Sequence, residues 1–231
     1  MNKVVITKTN TKLDNKILTK YVSAFVLGDG SLRTWKNVKN AAYAFAQVAK
    51  HKNYVMWQAD IISNITSVNM RYYGQQTTKD GVNHQDKYVI ETRSHPFFTT
   101  LRSRWYIDGK KTVSPHDLKQ FDWECAAIWY MDDGYILKSD DKHHKGNVFL
   151  CTDCFSFAEV SMLQKLLYEK LNIPFDTIKR GFRKDGSQIY RLRTRKENAQ
   201  KFLGGIEKFI FSSFEYKLSS ERLAPNLLNI N

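Results

Sequence analysis

Apolar positions in this chain alternate between helical and strand spacing, and the order of alternation is written twice. In the stretch before Asp29 apolar side chains recur at helical spacing, with Leu18, Tyr21, Val22 and Phe25 on one stripe and small Ser23, Ala24 and Gly28 between them. That stretch ends abruptly in Asp29-Gly30. Strand-like pieces follow at 31–36 and 41–48, then a helix near 54–65 with Val55, Ala59, Ile62 and Ile65 on one face. Strands at 68–73 and 87–93 lead to a helix at 95–106, for which Ser94 is the candidate cap. A second apolar helix ends in Asp133-Gly134, and the order returns: strands at 135–138 and 147–152, a helix at 157–171, strands at 177–184 and 188–194, and a helix at 195–210. Ser156 with Glu159 forms a capping box and Pro174 follows that helix; Thr194 with Glu197 reads as the cap of the last one.

Both halves therefore read αββαββα. The segments VSAFVLGDG (residues 22–30) and AAIWYMDDG (residues 126–134) set the frame, with Asp29 and Asp133 lying 104 residues apart. From Asp29 to Ser94 is 65 residues, and from Asp133 to Thr194 is 61. The expected fold is α+β, with two pseudo-symmetric repeats (1–108 and 119–231) joined by a linker over 109–118, where Gly109 and Pro115 break regular structure. The charged run 140–145 reads as a solvated turn.

Alternation along the strands sorts charge from core. Arg191, Arg193 and Arg195 oppose Tyr190 and Leu192; Lys87, Glu91 and Arg93 oppose Tyr88 and Ile90. Lys179 and Arg183 are expected to project together, as are Asn69, Arg71 and Tyr73, and Arg33 with Trp35 joins this set. One basic strand is ordinarily a solvated face. Its recurrence in both halves points to antiparallel sheets that lie against DNA, where Arg and Lys read base edges or grip phosphates.

Composition narrows the classes. With 231 residues, 42% hydrophobic and 13% aromatic, the chain can bury a core. No apolar run approaches the roughly 18 residues of a membrane span, and the start lacks the apolar region of a secretory signal. A soluble protein without a membrane partner is expected, working in the compartment of its own genome, whether organelle, bacterium or phage-infected cytoplasm. Lys and Arg outnumber Asp and Glu by 36 to 23, a net charge of +13, which favours a polyanionic partner. Charge alone also fits RNA or a membrane surface. Three cysteines argue against a disulfide framework. Cys151 and Cys154 have CxxC spacing, but a structural zinc site needs four ligands, so they read as small residues at a strand end.

An Asp-Gly pair after one helix is an ordinary terminator. Two such pairs, on two apolar helices with small interspersed residues, suggest that the helices pack and bring their carboxylates together. Paired carboxylates suit a hard cation such as Mg²⁺, which activates water against a phosphodiester.

On these two segments the chain resembles the LAGLIDADG homing endonucleases in their single-chain, two-motif form. WYMDDG (129–134), KKTVSP (110–115) and LCTDCFSFAE (150–159) are also similar to stretches typical of that family. The resemblance implies a monomer whose two sheets form a saddle over a long, weakly symmetric double-stranded DNA target, cut to leave 3′ overhangs in the service of intron or gene mobility. It implies that Asp29 and Asp133 ligate the metal, with backbone oxygens at Gly28 and Asp132 as further ligands. It also implies a basic residue near each centre: Lys111 stands 82 residues after Asp29, and Lys217 stands 84 after Asp133. Ile128 departs from the family's preference for a small residue and predicts a looser or tilted second helix; Gln47 reads as a polar strand residue near the metals, with no family role carried over to it. The rival readings are an intron RNA maturase on the same scaffold and a non-catalytic DNA-binding regulator. No splicing segments flank the repeats, so an intein-embedded origin is not expected.

Overall fold

The computed structural model describes residues 3–6, 12–77, 81, 83–137 and 146–219. Its contacts divide into two units, Met1–Asp132 and Asp133–Asn231. The first runs β1 (Lys3–Ile6), α1 (Asn15–Leu27), β2 (Ser31–Arg33), β3 (Ala42–Val48), α2 (Lys52–Ser63), β4 (Val68–Tyr73), β5 (Gln76–Thr77), β6 (Asn83–His84), β7 (Lys87–Thr92), α3 (Pro96–Trp105), β8 (Tyr106–Ile107), β9 (Lys110–Lys111) and α4 (Trp123–Asp133). The second runs β10 (Gly134–Ile136), β11 (Val148–Cys151), α5 (Phe157–Leu171), β12 (Asp176–Phe182), β13 (Gln188–Thr194) and α6 (Lys196–Ile206), closing in a 3₁₀ turn at Ser212–Lys217. The last residue of α4, Asp133, is the first of the second unit.

The first unit's main sheet is antiparallel with order β1-β4-β7-β3-β2, and the second unit's is β10-β11-β13-β12. Set β1 aside and the orders are the same, which is the repeat seen in the sequence. β1 was not anticipated: three apolar residues at a basic chain start carry no period, and only pairing with β4 (Val5 opposite Asn69) makes a strand of them. Fully buried side chains on one face of the first sheet, among them Phe45 and Ile90, pack with Tyr54, Val55 and Ile62 of α2. Leu150 and Leu192 pair across β11 and β13 in the second unit, where Val160, Leu163 and Leu167 of α5 are also buried. Among the described residues no helix is long and apolar enough to cross a membrane.

Helix starts show where local patterning succeeds. The capping box of α5 forms as expected, with Ser156 and Glu159 satisfying each other's amides; the helix ends at Asn172 in the left-handed region (φ 55°), just before Pro174. Two expected caps are corrected. α3 is capped by His95, not Ser94, because Pro96 takes the first helical position and pushes the residue before it to extended backbone. α6 starts from Arg195, with no side-chain cap bond, because Thr194 is still the last residue of β13. The expected linker begins as a tight hairpin: Asp108 (φ 50°) and Gly109 (φ 76°) turn β8 back onto β9. The Asp-Gly pair there is a hairpin signal that the sequence reading took for a simple break. Of that reading, the charged run 140–145 and Lys138 lie outside the described residues.

Candidate functional site

α1 and α4 are pinned together twice within the first unit. Midway along α1 and at the start of α4, Lys20 Nζ lies 2.6 Å from Asp122 Oδ2 and 3.0 Å from Glu124 Oε2, while the Tyr21 hydroxyl donates to Glu124 Oε1 at 2.9 Å. Burial opposes the charge of Lys20, but both carboxylates outweigh it and raise the ammonium above its ordinary range. Burial, then the bond to Glu124, pushes Tyr21 up to about 12. At the other end a Cβ built on Gly28 would overlap Asp132, at 2.7 Å from its Cβ and 2.9 Å from its Cγ. Lys20 to Gly28 and Glu124 to Asp132 are each eight residues, about 12 Å at ~1.5 Å per residue. The two helices therefore run parallel and in register, and glycine is needed where they touch. Ile128 is buried, and the close approach at Gly28 is kept despite it.

Around that touching point the first unit collects several anticipated residues. Asp29 is exposed just past α1; its N–H donates to Asp132 Oδ2 at 3.2 Å. The other oxygen of Asp132, Oδ1, accepts from the hydroxyl of buried Tyr54 at 3.1 Å. Lys111, delivered by the β8–β9 hairpin, donates from Nζ to the Gly28 carbonyl at 2.7 Å. The hairpin is itself anchored, since Leu32 N–H donates to Tyr106 Oη at 3.2 Å and the Arg102 guanidinium lies 4.3 Å over the Tyr106 ring. Gln47 Nε2 reaches Asp29 Oδ2 at 3.4 Å. The sequence reads Gln47 as a polar strand residue near the centre without carrying a role to it, and it stands on the helix-packed face of β3, opposite Tyr88. Tyr54 was missed altogether, because inside a helical pattern it reads as one more apolar residue.

In the second unit, Asp133 precedes β10, Gly134 pairs with Leu150, and Cys151 lies opposite Arg191. Cys151 is pushed up to about 11, by burial first; Arg191 offsets part of this, Asp153 and Asp133 add to it, and Lys217 opposes it. Asp133 and Lys217 thus share one electrostatic neighbourhood, and the 3₁₀ turn carrying Lys217 touches β10. Cys125, Cys151 and Cys154 are free thiols. Among the described residues no three His, Cys, Asp or Glu side chains cluster as a ready metal cage. The donors beside Asp29 are its carboxylate and the Gly28 carbonyl. These all-oxygen donors suit a hard cation, and a carbonyl oxygen has a second lone pair beyond the one that accepts Lys111.

The sheet faces carry the basic residues, several already engaged. On the first unit's open face, Glu91 Oε1 and Oε2 lie 3.7 Å and 3.6 Å from Arg33 and Arg71. Lys87, Arg93 and Trp35 are exposed nearby in sequence or register. In the second unit Arg191 forks onto Asp153 at 2.7 Å and 2.6 Å, and Arg193 and Arg195 share Asp176 Oδ2 at 3.2 Å and 2.8 Å. Lys179 and Arg183 do not project together. A register shift between Lys179 and Gly181 inserts Arg180, leaving Lys179 opposite Tyr190 on the helix-packed face. Arg183, half-buried, donates to the carbonyls of Asp153, Phe155 and Gln188 and to Ser187 Oγ, which makes it a clasp on the loop after β11.

The sequence model of the LAGLIDADG DNA endonuclease family matches residues 22–202. The cytochrome b mRNA maturase bI2 of Debaryomyces hansenii is 30% identical over 91% of this chain and 76% of its own length. The maturase of the same name from Saccharomyces cerevisiae is 29% identical over 89% of this chain, which spans about half (48%) of that protein. Among solved structures, the homing endonuclease I-WcaI bound to its DNA recognition sequence superposes with a TM-score of 0.73 at 22% identity, covering 92% of this chain and 89% of that one. At that identity the likeness shows the fold: α+β with antiparallel sheets.

Proposed function

Because the chain belongs to the LAGLIDADG DNA endonuclease family, in its two-motif single-chain form, we propose that it is a site-specific endonuclease. It acts as a monomer on a long, weakly symmetric double-stranded DNA target, hydrolyses one phosphodiester bond on each strand, and so promotes mobility of its host intron or gene. The observation that carries this reading is the end of α1, where an exposed aspartate stands beside a carbonyl held by a lysine ammonium. Asp29 in the first unit, with the backbone oxygens of Gly28 and Asp132, and Asp133 in the second are the groups that would hold Mg²⁺. When bound, such an ion supplies a hard positive charge against the phosphodiester and makes water a better nucleophile. Lys111 keeps a fixed ammonium at the Gly28 carbonyl, where it meets negative charge developing on the phosphate; Lys217 is its counterpart in the second unit. Arg33, Arg71, Glu91 and Lys87 contact DNA from one sheet, and Arg191 and Arg193 from the other.

The test is incubation of the purified protein with a DNA library and Mg²⁺. Wild type should cut a small set of related sites, whereas Asp29→Asn and Asp133→Asn should bind those sites and leave them intact. Robust double-strand cutting by both variants would overturn the assignment.

A second reading, intron RNA maturation on the same scaffold, is favoured by the two yeast relatives, both named as mRNA maturases. Tight binding of host-intron RNA and assistance to its splicing, with no DNA cut under any divalent ion, would move the assignment there.

A further inference from the structure

The side chain of Asp132 is engaged within its own unit. Both of its oxygens accept from donors of its own unit, Oδ2 from the Asp29 amide at 3.2 Å and Oδ1 from the Tyr54 hydroxyl at 3.1 Å. Its carbon atoms close the space over Gly28, so the carboxylate has little freedom to swing. Behind it Tyr54 is fully buried, its ring edge-on to Phe45 (centroids 5.8 Å, 85°) and stacked on Trp57 (5.9 Å, 20°). A phenol carries its proton at neutral pH, so the Tyr54 hydroxyl is a donor to the Asp132 carboxylate.

We infer that Asp132 and Tyr54 form a positioning relay for Asp29: the phenol fixes the Asp132 carboxylate, and the carboxylate fixes the Asp29 backbone. The last four carbonyls of a helix lack intrahelical partners, and a helix end frays unless something holds it. The residue whose carboxylate is to meet the cation sits one step beyond such an end. The relay converts a frayed terminus into a rigid one and leaves the Asp29 carboxylate pointing outward, engaged by Gln47. In this assignment Asp132 contributes hydrogen-bond geometry to the reaction, not ligand charge. The inference rests on the endonuclease reading above.

Three variants separate the possibilities. Asp132→Ala removes the acceptor for the Asp29 amide, and Tyr54→Phe removes the donor while keeping the aromatic slot filled. Asp132→Asn keeps the shape and one acceptor oxygen for the Asp29 amide, turns its NH2 toward the Tyr54 oxygen, which can accept, and deletes the charge. Turnover on a cleavable target should fall about 10- to 100-fold in Asp132→Ala, the scale of a small misplacement of a reacting group. Tyr54→Phe should show a smaller loss, with target binding unchanged in both. Asp132→Asn should recover most of what Asp132→Ala loses, at an unchanged Mg²⁺ midpoint. An Asp132→Asn variant as dead as Asp29→Asn, or one with a raised Mg²⁺ midpoint, would make the carboxylate a metal ligand and overturn the relay. Wild-type turnover in Asp132→Ala and Tyr54→Phe would overturn it equally. Hydrogen exchange at the Asp29 amide reads the same contact without any cleavage. It should be protected in wild type and Asp132→Asn and fast in Asp132→Ala; fast exchange in wild type sinks the relay. A wild type that never cuts DNA yet protects this amide would instead count against the endonuclease reading.

Discussion

The ammonium of Lys111 donates to the carbonyl oxygen of Gly28 at 2.7 Å, across 83 positions of sequence. That oxygen belongs to the cap of α1, where unpaired carbonyls leave partial negative charge, so a cation there is favoured on electrostatic grounds alone. The contact also brings a fixed positive charge to the residue preceding Asp29.

Lys111→Met should lower turnover on a cleavable target about 10- to 100-fold, in line with removal of one preorganised stabilising group. Target affinity measured with a non-supporting cation should stay within about threefold of wild type. Single-turnover cleavage and equilibrium binding, run side by side, check this; a pure loss of affinity would place Lys111 among ordinary phosphate contacts.

Gly28→Ala should lose about 1–3 kcal/mol of stability through overpacking, because the new methyl overlaps Asp132 and no slack remains between the helices. Gly74→Ala, where the same methyl meets nothing within 4 Å, is the control and should be near neutral. Urea unfolding of both proteins decides the comparison.

Glu91 holds Arg33 and Arg71 by loose pairs on a solvent-facing sheet. Glu91→Gln should release both guanidiniums, tighten binding to random DNA and steepen its salt dependence by about one phosphate contact. Lys87→Gln should do the reverse, with a slope shallower by about one. Binding isotherms over a salt series measure both slopes.

Arg183 spends its donors on carbonyl groups and one hydroxyl of its own unit. Arg183→Ala should therefore cost about 2–3 kcal/mol of stability, from lost charge-assisted bonds, and leave the salt slope of DNA binding as it was. A drop in that slope without a change in melting temperature would restore Arg183 to the DNA contacts.

Asp117 is a buried carboxylate that accepts a bidentate fork from Arg104 at 2.9 Å and 2.7 Å and a bond from Ser114 at 2.7 Å. Burial alone would raise it, but Arg104, Ser114 and His116 together hold it below the usual carboxylate range. A depressed folded pKa contributes stability that is present above the unfolded value, near about 3.9, and is lost as pH falls below it. Asp117→Asn should cost about 2–3 kcal/mol at pH 7, the low side for a broken buried pair since Arg104 is partly exposed. The gap between the two proteins should narrow in urea melts at pH 3; a constant gap would refute the linkage.

Much of this was legible in advance because it is local. Helical spacing located α1, α2 and α5, period-2 alternation located β4, β7 and β13, and the Ser156 capping box formed as read. Lys111, which the family resemblance sets near the first centre, stands against Gly28. The misses have physical reasons of another kind. β1 exists only through its pairing with β4, and the inserted Arg180 shifts the alternation after Lys179, so that Arg183 no longer shares its face, without any mark in composition. Arg183 looked like one more cation on a basic strand, yet carbonyl groups from the loop after β11 claimed it.

By itself the order of residues determined the repeated helix–strand plan, the two apolar helices that end in Asp-Gly, and the excess of positive charge. Those depend on side chains three, four or two positions apart, and such spacings are fixed by backbone geometry wherever the chain goes. Tertiary structure alone decided that Asp132 turns to the Asp29 amide, that Tyr54 stands behind it, and which arginines are already paired. These choices depend on how distant elements meet, and the relevant partners lie 103 and 78 positions apart. No local pattern carries that information, because each partner satisfies its own helix equally well in isolation.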